Sequence, residues 1–327
     1  MKFRNNRVME KYSIFIVLFV MIIICSLLNE NFLSTGNITN IIKQLSVAAI
    51  LAYGEMLLIV SGMLDLSAGA VLALSGVLSV SVYKSSGSLI IALLVAVIVA
   101  VVCNIINAIM VTSFKAPPFI ATLAMQTVAR GIALLFTKGQ NILQLDNYVV
   151  FGQGNIGPIP VSIIFLIIIT IIIWYLLRHT RLGRSLYAIG GNEEAAVASG
   201  INVKLNKYKV FIINGILVGI AGVLFMSRVN AGLPNGAVGY EMEGLTAAIV
   251  GGTSFSGGIG TTMGTLTGAF IIGCLNNIMN LIGIDSYVQQ IVKGVIIALA
   301  VIWDIHSKTK KTTKVVLVEE KEKVVSN

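Results

Sequence analysis

The sequence has few charged residues. Only 11% of its 327 residues are Asp, Glu, Lys or Arg, whereas soluble proteins carry about a quarter. Apolar residues make up 56% of the chain, and its mean hydropathy is +0.92. This composition excludes an ordinary soluble domain and predicts an all-α polytopic membrane protein that lies in a lipid bilayer.

Residues that support catalysis or bind metals are also scarce. The two histidines, His179 and His306, both lie just beyond apolar segments, which leaves no catalytic His pair. The three cysteines, Cys25, Cys103 and Cys274, lie inside apolar runs without a disulfide or metal-binding spacing. Neither HExxH nor Gly-x-Ser-x-Gly occurs. A membrane enzyme is therefore disfavoured, and we expect no catalytic residue and no metal site.

No phosphate loop of the form GxxxxGK[ST] is present, so we expect the chain not to bind ATP by that motif. If ATP drives the protein, the nucleotide and its Mg²⁺ must bind another polypeptide. The net charge of +9 does not indicate nucleic acid, because the basic residues flank apolar segments or lie in the terminal tails. Basic residues in those places set the topology of a membrane protein.

About ten transmembrane or half-spanning helices are predicted from the apolar segments. They lie at about residues 12–28, 41–61, 66–82, 89–113, 118–136, 160–177, 208–227, 243–256, 261–283 and 286–303. The third and eighth are short and rich in Gly and Ser, so full spans and re-entrant or half-helices both remain open there. The first is read as an uncleaved span, because no small residues mark a cleavage site after it.

The distribution of the 23 Lys and Arg residues predicts that both termini are cytoplasmic. Residues 1–11 form a basic cytoplasmic N-terminus, residues 12–303 form the transmembrane domain, and residues 304–327 form a cytoplasmic tail. Six spans before the polar interval 178–209 and four after it fit this arrangement. An arrangement with four spans before this interval and four after it, in which segments 3 and 8 are paired differently, remains open.

The polar interval 178–209 separates two apolar halves of the chain. Within it, Asn192 has the position of a helix N-cap, and two glutamates follow in the first turn, where carboxylates suit the helix dipole. Gly200 has the position of a C-terminal stop. The pattern predicts a short helix from Glu193 to Ser199. A solvated basic loop without a further role is the alternative.

A second polar stretch, Ser-Gly-Met-Leu-Asp-Leu-Ser-Ala-Gly-Ala, covers residues 61–70. Asp65 is a carboxylate among apolar residues, and such groups usually face protein or a water-filled cavity. Ser67 is expected to cap the following helix, and Gly69 is expected to let two backbones approach closely. The stretch thus predicts either a capped helix break or part of a solute pathway.

Several amides lie within apolar segments and share helix faces. Asn104 and Asn107 are spaced i, i+3, and Asn276 and Asn280 are spaced i, i+4. They fit hydrogen bonds between helices, which are worth about 0.6 kcal/mol each on average. A pathway for a hydroxylated solute would need the same neutral groups. The candidate pathway residues are Asp65, Ser67, Asn104, Asn107, Asn276 and Asn280.

A glycine-rich stretch at 251–260 leads into the ninth segment. Gly260, Gly264 and Gly268 recur every fourth residue and form overlapping GxxxG units. In lipid, helices associate through close backbone contact, so such units mark helix packing. A phosphate-binding loop is disfavoured, because no lysine follows the glycines.

Glu194-Ala195-Ala196, followed after three residues by Gly200, resembles the EAA-type coupling loop of permease subunits in bacterial ATP-binding-cassette importers. The run 183–201 is similar to the form found in the ribose and simple-sugar branch, although the proline that ends the wider EAA pattern is missing. Residues 61–70 are similar to the GGIDLSVGS signature of the same branch. The blocks 116–131 and 247–294 resemble further parts of these permeases.

The resemblance implies that the 178–209 loop docks into an ATP-binding subunit. The coupling residues it implies are Gly190, Asn192, Glu193, Glu194, Ala195, Ala196 and Gly200. It also implies a second permease copy in a homodimer, an extracytoplasmic solute-binding protein, and ATP–Mg²⁺ on the partner subunit. No cofactor is expected on this chain itself.

The function implied by the resemblance is import of a simple sugar such as ribose across a bacterial plasma membrane by alternating access. A nucleoside or autoinducer-type solute within the same family is an alternative. An ion-coupled secondary transporter is another, with Asp65 and Glu55 as the carboxylates able to carry an ion.

Overall fold

The computed structural model describes residues 2–302, with side chains from Ile14 onward. This part of the chain is a helical bundle. Its helices are α1 Lys2–Leu28, α2 Thr35–Val60, α3 Ala68–Ser86, α4 Leu89–Thr112, α5 Pro118–Thr137, α6 Val161–His179, α7 Arg181–Gly191, α8 Glu193–Ala198, α9 Val203–Val229, α10 Tyr240–Val250, α11 Thr262–Leu281 and α12 Ser286–Ile302.

Short strands and a 3-10 helix join these helices between α5 and α10. Strands β1 (Ile142–Leu143) and β4 (Ala231–Gly232) pair antiparallel, with Ile142 opposite Gly232. Strands β2 (Asn155–Ile156) and β3 (Ile159–Pro160) form a hairpin. The 3-10 helix covers Asp146–Phe151. The pairing of β1 with β4 ties the loop after α5 to the end of α9.

Seven helices are long and apolar enough to cross a membrane, namely α2, α3, α4, α5, α6, α9 and α11. The apolar segments Ile14–Leu28 and Ser286–Ile302 are shorter. Of the two segments left open between a full span and a half-helix, the eighth is the half-helix α10, which has 11 residues. The third is helix α3, which at 19 residues has the length of a full span. The all-α polytopic fold is confirmed, whereas the side of the membrane on which the termini lie stays a prediction, and the tail 304–327 lies outside the described residues.

Helices α2 and α9 lie at the centre of the bundle, because most of each helix is buried while α4, α5 and α6 expose broad apolar faces. Helix α4 shows how one span separates its two sides. Its small residues Ala92, Ala96 and Ala100 are fully buried, whereas Leu94 and Ile98 on the other face are exposed. Small residues allow close helix packing in lipid, and large apolar residues face the lipid chains.

The predicted glycine contacts in α11 are made with the half-helix α10. A Cβ atom on Gly264 would overlap the Gly251 carbonyl oxygen, and one on Gly268 would overlap the Ala247 carbonyl oxygen. Gly260 precedes α11, and a Cβ there would lie 2.6 Å from Val60 Cγ2. Two of the three glycines thus bring the backbones of α10 and α11 together, and the third contacts the end of α2.

Substitution of Gly268 by alanine is expected to destabilise the protein. The added methyl group would meet backbone that a rotamer change cannot move, and such overpacking costs roughly 1–3 kcal/mol. Gly131 in α5 is the matched control, since a Cβ there meets nothing within 4 Å. Thermal unfolding of the detergent-purified protein should show a lower midpoint for G268A and an unchanged or slightly higher one for G131A. Equal midpoints would contradict the close packing of α10 on α11.

Candidate functional site

A break between α2 and α3 places a carboxyl group in the protein core. Helix α2 ends at Val60, and Gly62 adopts a left-handed φ of 78° that turns the chain. Ser67 does not cap α3 with its side chain. Its hydroxyl and its backbone N–H both donate to Asp65 Oδ1, at 2.5 and 2.8 Å. The capping role expected for Ser67 is therefore wrong, and the serine instead holds the Asp65 carboxyl group in place.

Four of the predicted pathway residues meet around this carboxyl group. Asn214 of α9 donates its amide to Asp65 Oδ2 at 2.7 Å and to Asn104 Oδ1 at 2.9 Å. Asn107 donates to the Ser67 hydroxyl at 3.0 Å. We call the following residues, all buried, the core polar cluster: Glu55, Asp65, Ser67, Asn104, Asn107 and Asn214. Sequence analysis missed Asn214, a lone amide in an apolar span.

The core polar cluster has an excess of hydrogen-bond acceptors. Glu55 accepts only from the Asp65 backbone N–H, at 3.3 Å, and its Oε1 atom has no donor among the described residues. The amide oxygens of Asn107 and Asn214 also have no donor there. Neither ion pair formed by the described residues involves Glu55 or Asp65. Buried acceptors without donors are costly, so the cluster retains unused capacity to accept hydrogen bonds.

A further carboxyl group, that of Glu241 in α10, adjoins the start of α3. A Cβ on Gly69 would overlap Glu241 Oε2 and lie 2.6 Å from the Ala237 carbonyl oxygen, so the expected close approach at Gly69 is present. Gln126 of α5 donates to Glu241 Oε1 at 3.2 Å. Arg130, one turn further along α5, donates to the Pro234 and Gly236 carbonyl oxygens at 2.7 and 2.8 Å. Helix α5 thus fixes the segment that leads into α10.

The other two predicted pathway residues lie apart from this cluster. Asn276 donates to Glu243 Oε1 at 3.2 Å, and the same carboxylate pairs with Lys293 Nζ at 2.5 Å. Asn280 accepts from the Gln289 amide at 2.9 Å. Both asparagines therefore join α11 to α10 or α12. This geometry favours hydrogen bonding between helices for Asn276 and Asn280.

The 178–209 loop folds into two helices, α7 and α8. Helix α8 begins after Asn192, whose side chain accepts from the Ala195 N–H at 2.9 Å. It ends before Gly200, which has a left-handed φ of 79°. The short helix predicted between these two residues is present. Helix α7 was not predicted.

Helix α8 is attached to the bundle by one face. Ala196 is buried together with Ile189 of α7 and Val203 of α9. Glu193 pairs with Lys207 at 2.8 Å on the exposed side. The outward face presents side chains that are exposed in this chain, namely Glu194, Ala195, Val197 and Ala198.

The end of α7 contacts the end of α2 and the loop between α10 and α11 at a point that we call the loop junction, formed by Val60, Gly190 and Gly258. The Gly258 N–H donates to the Val60 carbonyl oxygen at 2.9 Å. A Cβ on Gly190 would overlap that oxygen and lie 2.6 Å from Gly258 N. Tyr187 donates to the Gly260 carbonyl oxygen at 2.7 Å, and burial raises its pKa, which keeps the hydroxyl a donor. The end of α7 therefore packs directly against the backbone of α2 and of the loop before α11.

Metal binding finds no support in the described part of the chain, where no group of three or more His, Cys, Asp or Glu side chains is placed to hold an ion. The arrangement offers a buried acceptor-rich cluster and an external helix, connected through the loop junction.

Comparison with known proteins identifies the family. The sequence model described as "Branched-chain amino acid transport system / permease component" matches residues 37–301. The ribose import permease protein of Bacillus subtilis is 42% identical over 300 residues, or 91% of this chain and 93% of that protein. The ribose import permease protein of Escherichia coli K12 is 39% identical over 307 residues, which are 92% of this chain and 95% of that protein. The D-allose transport system permease protein of the same organism is 37% identical over 298 residues, or 90% and 91%. No solved structure matches the chain.

These matches extend over nearly the whole chain and confirm the resemblance to importer permeases of the ribose and simple-sugar branch. A permease component is one subunit of a larger transport system. Its helices long enough to span a membrane agree with such a subunit. The chain therefore belongs to the permease family of bacterial ATP-binding-cassette importers and is a multi-pass protein of the plasma membrane.

Proposed function

We propose that this chain is the membrane-spanning subunit of an ATP-driven importer for a simple sugar such as ribose. The relatives named as ribose and allose permeases support this solute class. The sequence has no phosphate loop, so the proposal assigns ATP–Mg²⁺ binding and hydrolysis to a partner subunit. An extracytoplasmic binding protein delivers the solute, and a second copy of this chain completes the membrane part as a homodimer.

The observation that carries the proposal is the loop junction. Helix α8 exposes an outward face on which a partner can dock. Gly190, at the end of α7, lies against the end of α2 and the loop between α10 and α11. A partner that moves α8 would therefore move the ends of α2 and of the segment before α11. The break after α2 carries Asp65, which is five residues beyond Val60, so in this proposal motion at the loop reaches the core polar cluster through a short stretch of chain.

The core polar cluster supplies the sugar-facing chemistry in this proposal. Hydroxyl groups are donors as well as acceptors, and Glu55, Asn107 and Asn214 each hold an oxygen without a donor among the described residues. The cluster is closed in the conformation described, because its residues are at most 1% exposed. Alternating access requires such a site to open to one side at a time. In this proposal the pathway residues are Asp65, Ser67, Asn104, Asn107 and Asn214, and both termini and the 178–209 loop are cytoplasmic.

A second candidate function rests on the buried carboxyl groups. Glu55 and Asp65 have no cationic partner among the described residues, and carboxyl groups within a membrane often carry ions in secondary transporters. The ATP-driven importer is favoured, because the secondary transporter gives no role to the exposed helix α8.

Partner docking can be tested by co-purification from membranes that contain the native ATP-binding subunit. The wild type and E194K are compared, with E30K as the matched control, because Glu30 is also exposed but lies in the loop between α1 and α2. We expect the partner to co-purify with the wild type and with E30K, and to be reduced at least about tenfold with E194K, a loss of roughly 1.4 kcal/mol. Retention of the partner by E194K at the wild-type level would contradict docking on α8.

A further inference from the structure

The last turns of α6 and the first turn of α7 enclose a groove on the outer surface of the bundle. Its volume is about 500 Å³, and its lining is almost entirely apolar. The lining residues include Ile171, Ile172, Trp174, Tyr175, Thr180 and Leu182. Ile171 and Tyr175 are each 58% exposed, so the groove opens towards the surroundings of the protein. Because α6 is long and apolar enough to span the membrane, the groove lies at the level of the lipid bilayer.

Aromatic and basic side chains stand together at the end of this groove. The His179 ring lies 5.1 Å from the Trp174 ring and stacks on the Tyr175 ring at 5.4 Å. The Arg178 guanidinium lies over the Trp174 ring at 6.0 Å. Trp, Tyr and basic residues at the end of a span mark the boundary between the hydrocarbon and the lipid headgroups. The groove therefore runs from the headgroup level into the acyl-chain region.

The charge next to the groove is positive. Arg178, Arg181 and Arg184 are exposed, and the ion pairs among the described residues lie elsewhere, at Lys207–Glu193 and Lys293–Glu243. The sequence contains no Asp or Glu from residue 147 to residue 192. An arginine binds phosphate through two parallel hydrogen bonds, so these side chains are suited to a phosphate headgroup.

We propose that this surface is a binding site for an anionic phospholipid. An acyl chain fills the groove along Ile171, Ile172 and Leu182, while Arg178 and Arg181 bind the phosphate. A soluble anion would leave the apolar groove exposed, and a zwitterionic lipid would leave the arginines without net counter-charge. The occupant must therefore be amphiphilic and anionic. Bound there, it holds the first turn of α7, the helix whose other end lies at the loop junction.

Tryptophan fluorescence gives a direct test, since the chain contains only two tryptophans, Trp174 and Trp303. In a W303F background, Trp174 is the sole reporter and lines the groove. The full chain, purified in detergent, is titrated with phosphatidylglycerol or phosphatidylcholine that carries the same brominated acyl chains. We expect phosphatidylglycerol to quench at concentrations about tenfold lower, because the arginines attract its anionic headgroup, and this difference corresponds to roughly 1.4 kcal/mol.

Two double variants, R178Q/R181Q and K204Q/K209Q, distinguish binding at this site from attraction by the overall positive charge. Each removes two basic side chains that are exposed. The preference for phosphatidylglycerol is compared within each variant, since loss of Arg178 also alters the baseline emission of Trp174. In R178Q/R181Q the two lipids should quench at nearly equal concentrations. In K204Q/K209Q phosphatidylglycerol should still quench at about tenfold lower concentrations than phosphatidylcholine. Thermal unfolding without added lipid checks that both variants are folded.

Three outcomes would overturn the proposal. Equal quenching by the two lipids would show a groove without headgroup selection, and loss of the preference in K204Q/K209Q would show a general charge effect. Inorganic phosphate at millimolar concentration should leave the quenching unchanged. If phosphate abolishes the preference at that concentration, the arginines form a site for a soluble anion and not for a lipid.

Discussion

G190A is expected to abolish most ATP-dependent solute uptake. A methyl group at this position would overlap the Val60 carbonyl oxygen and crowd Gly258 N, so α7 could not remain at the loop junction. Because the obstructing atoms belong to two backbone segments, the cost should reach the range of roughly 1–3 kcal/mol that overpacking usually incurs. We expect uptake to fall at least about tenfold in proteoliposomes that contain the complete importer.

The neighbouring residue provides the control for this prediction. Gly191 lies in the same helix end, and a Cβ there meets nothing within 4 Å. G191A should therefore transport at a rate close to that of the wild type. Thermal unfolding of both variants shows whether G190A is still folded. A folded G190A that does not transport has lost the contact at the loop junction, whereas an unfolded one has lost its structure as a whole. Wild-type uptake by G190A would contradict the role of the loop junction.

D65L is expected to cause the largest loss of stability. The Asp65 carboxyl group accepts hydrogen bonds from the Ser67 N–H, the Ser67 hydroxyl and the Asn214 amide, and all of these groups are buried. Leucine would leave these donors without an acceptor. An unsatisfied buried donor costs about 1–3 kcal/mol, so the total should be roughly 3 kcal/mol or more. D65N keeps one acceptor oxygen and should lose less.

A double-mutant cycle isolates the contact at the centre of this prediction. D65A and N214A each remove one partner of the hydrogen bond between Asp65 Oδ2 and Asn214 Nδ2. Their effects on the free energy of unfolding, measured by titration with a denaturing detergent, should be non-additive by about 0.5–3 kcal/mol. Additive effects would mean that the core polar cluster does not act as a unit.

The capped helix of the loop was predictable because its signals are local. Asn192 begins helix α8 and Gly200 ends it, and each acts within one turn of the helix. Their positions along the chain are therefore sufficient to predict the helix. Helix α7 was missed because Arg181, Arg184 and three glycines lower its hydropathy. Its apolar residues Leu182, Leu186 and Ile189, spaced i, i+4, i+7, were the signal for an amphipathic helix.

The core polar cluster could be predicted only in part, because its contacts join distant positions. Asp65, Asn104 and Asn107 were recognised as polar residues within apolar segments, but Asn214 is 149 residues from Asp65. Nothing local to Asn214 indicates which helix it meets. The same limit applies to Asn276, whose partner Glu243 lies on the half-helix α10. Residue type indicated that these amides need partners, and only the packing of the helices decides which partners they have.

The central claim is that ATP hydrolysis by a partner subunit drives a sugar through this chain. The most direct test reconstitutes the chain with its ATP-binding subunit and solute-binding protein in proteoliposomes and measures uptake of radiolabelled ribose and other simple sugars. We expect uptake of at least one sugar to require ATP and to persist when Na⁺ and proton gradients are dissipated. Uptake that proceeds without ATP and stops when those gradients are removed would contradict the account and establish an ion-coupled transporter.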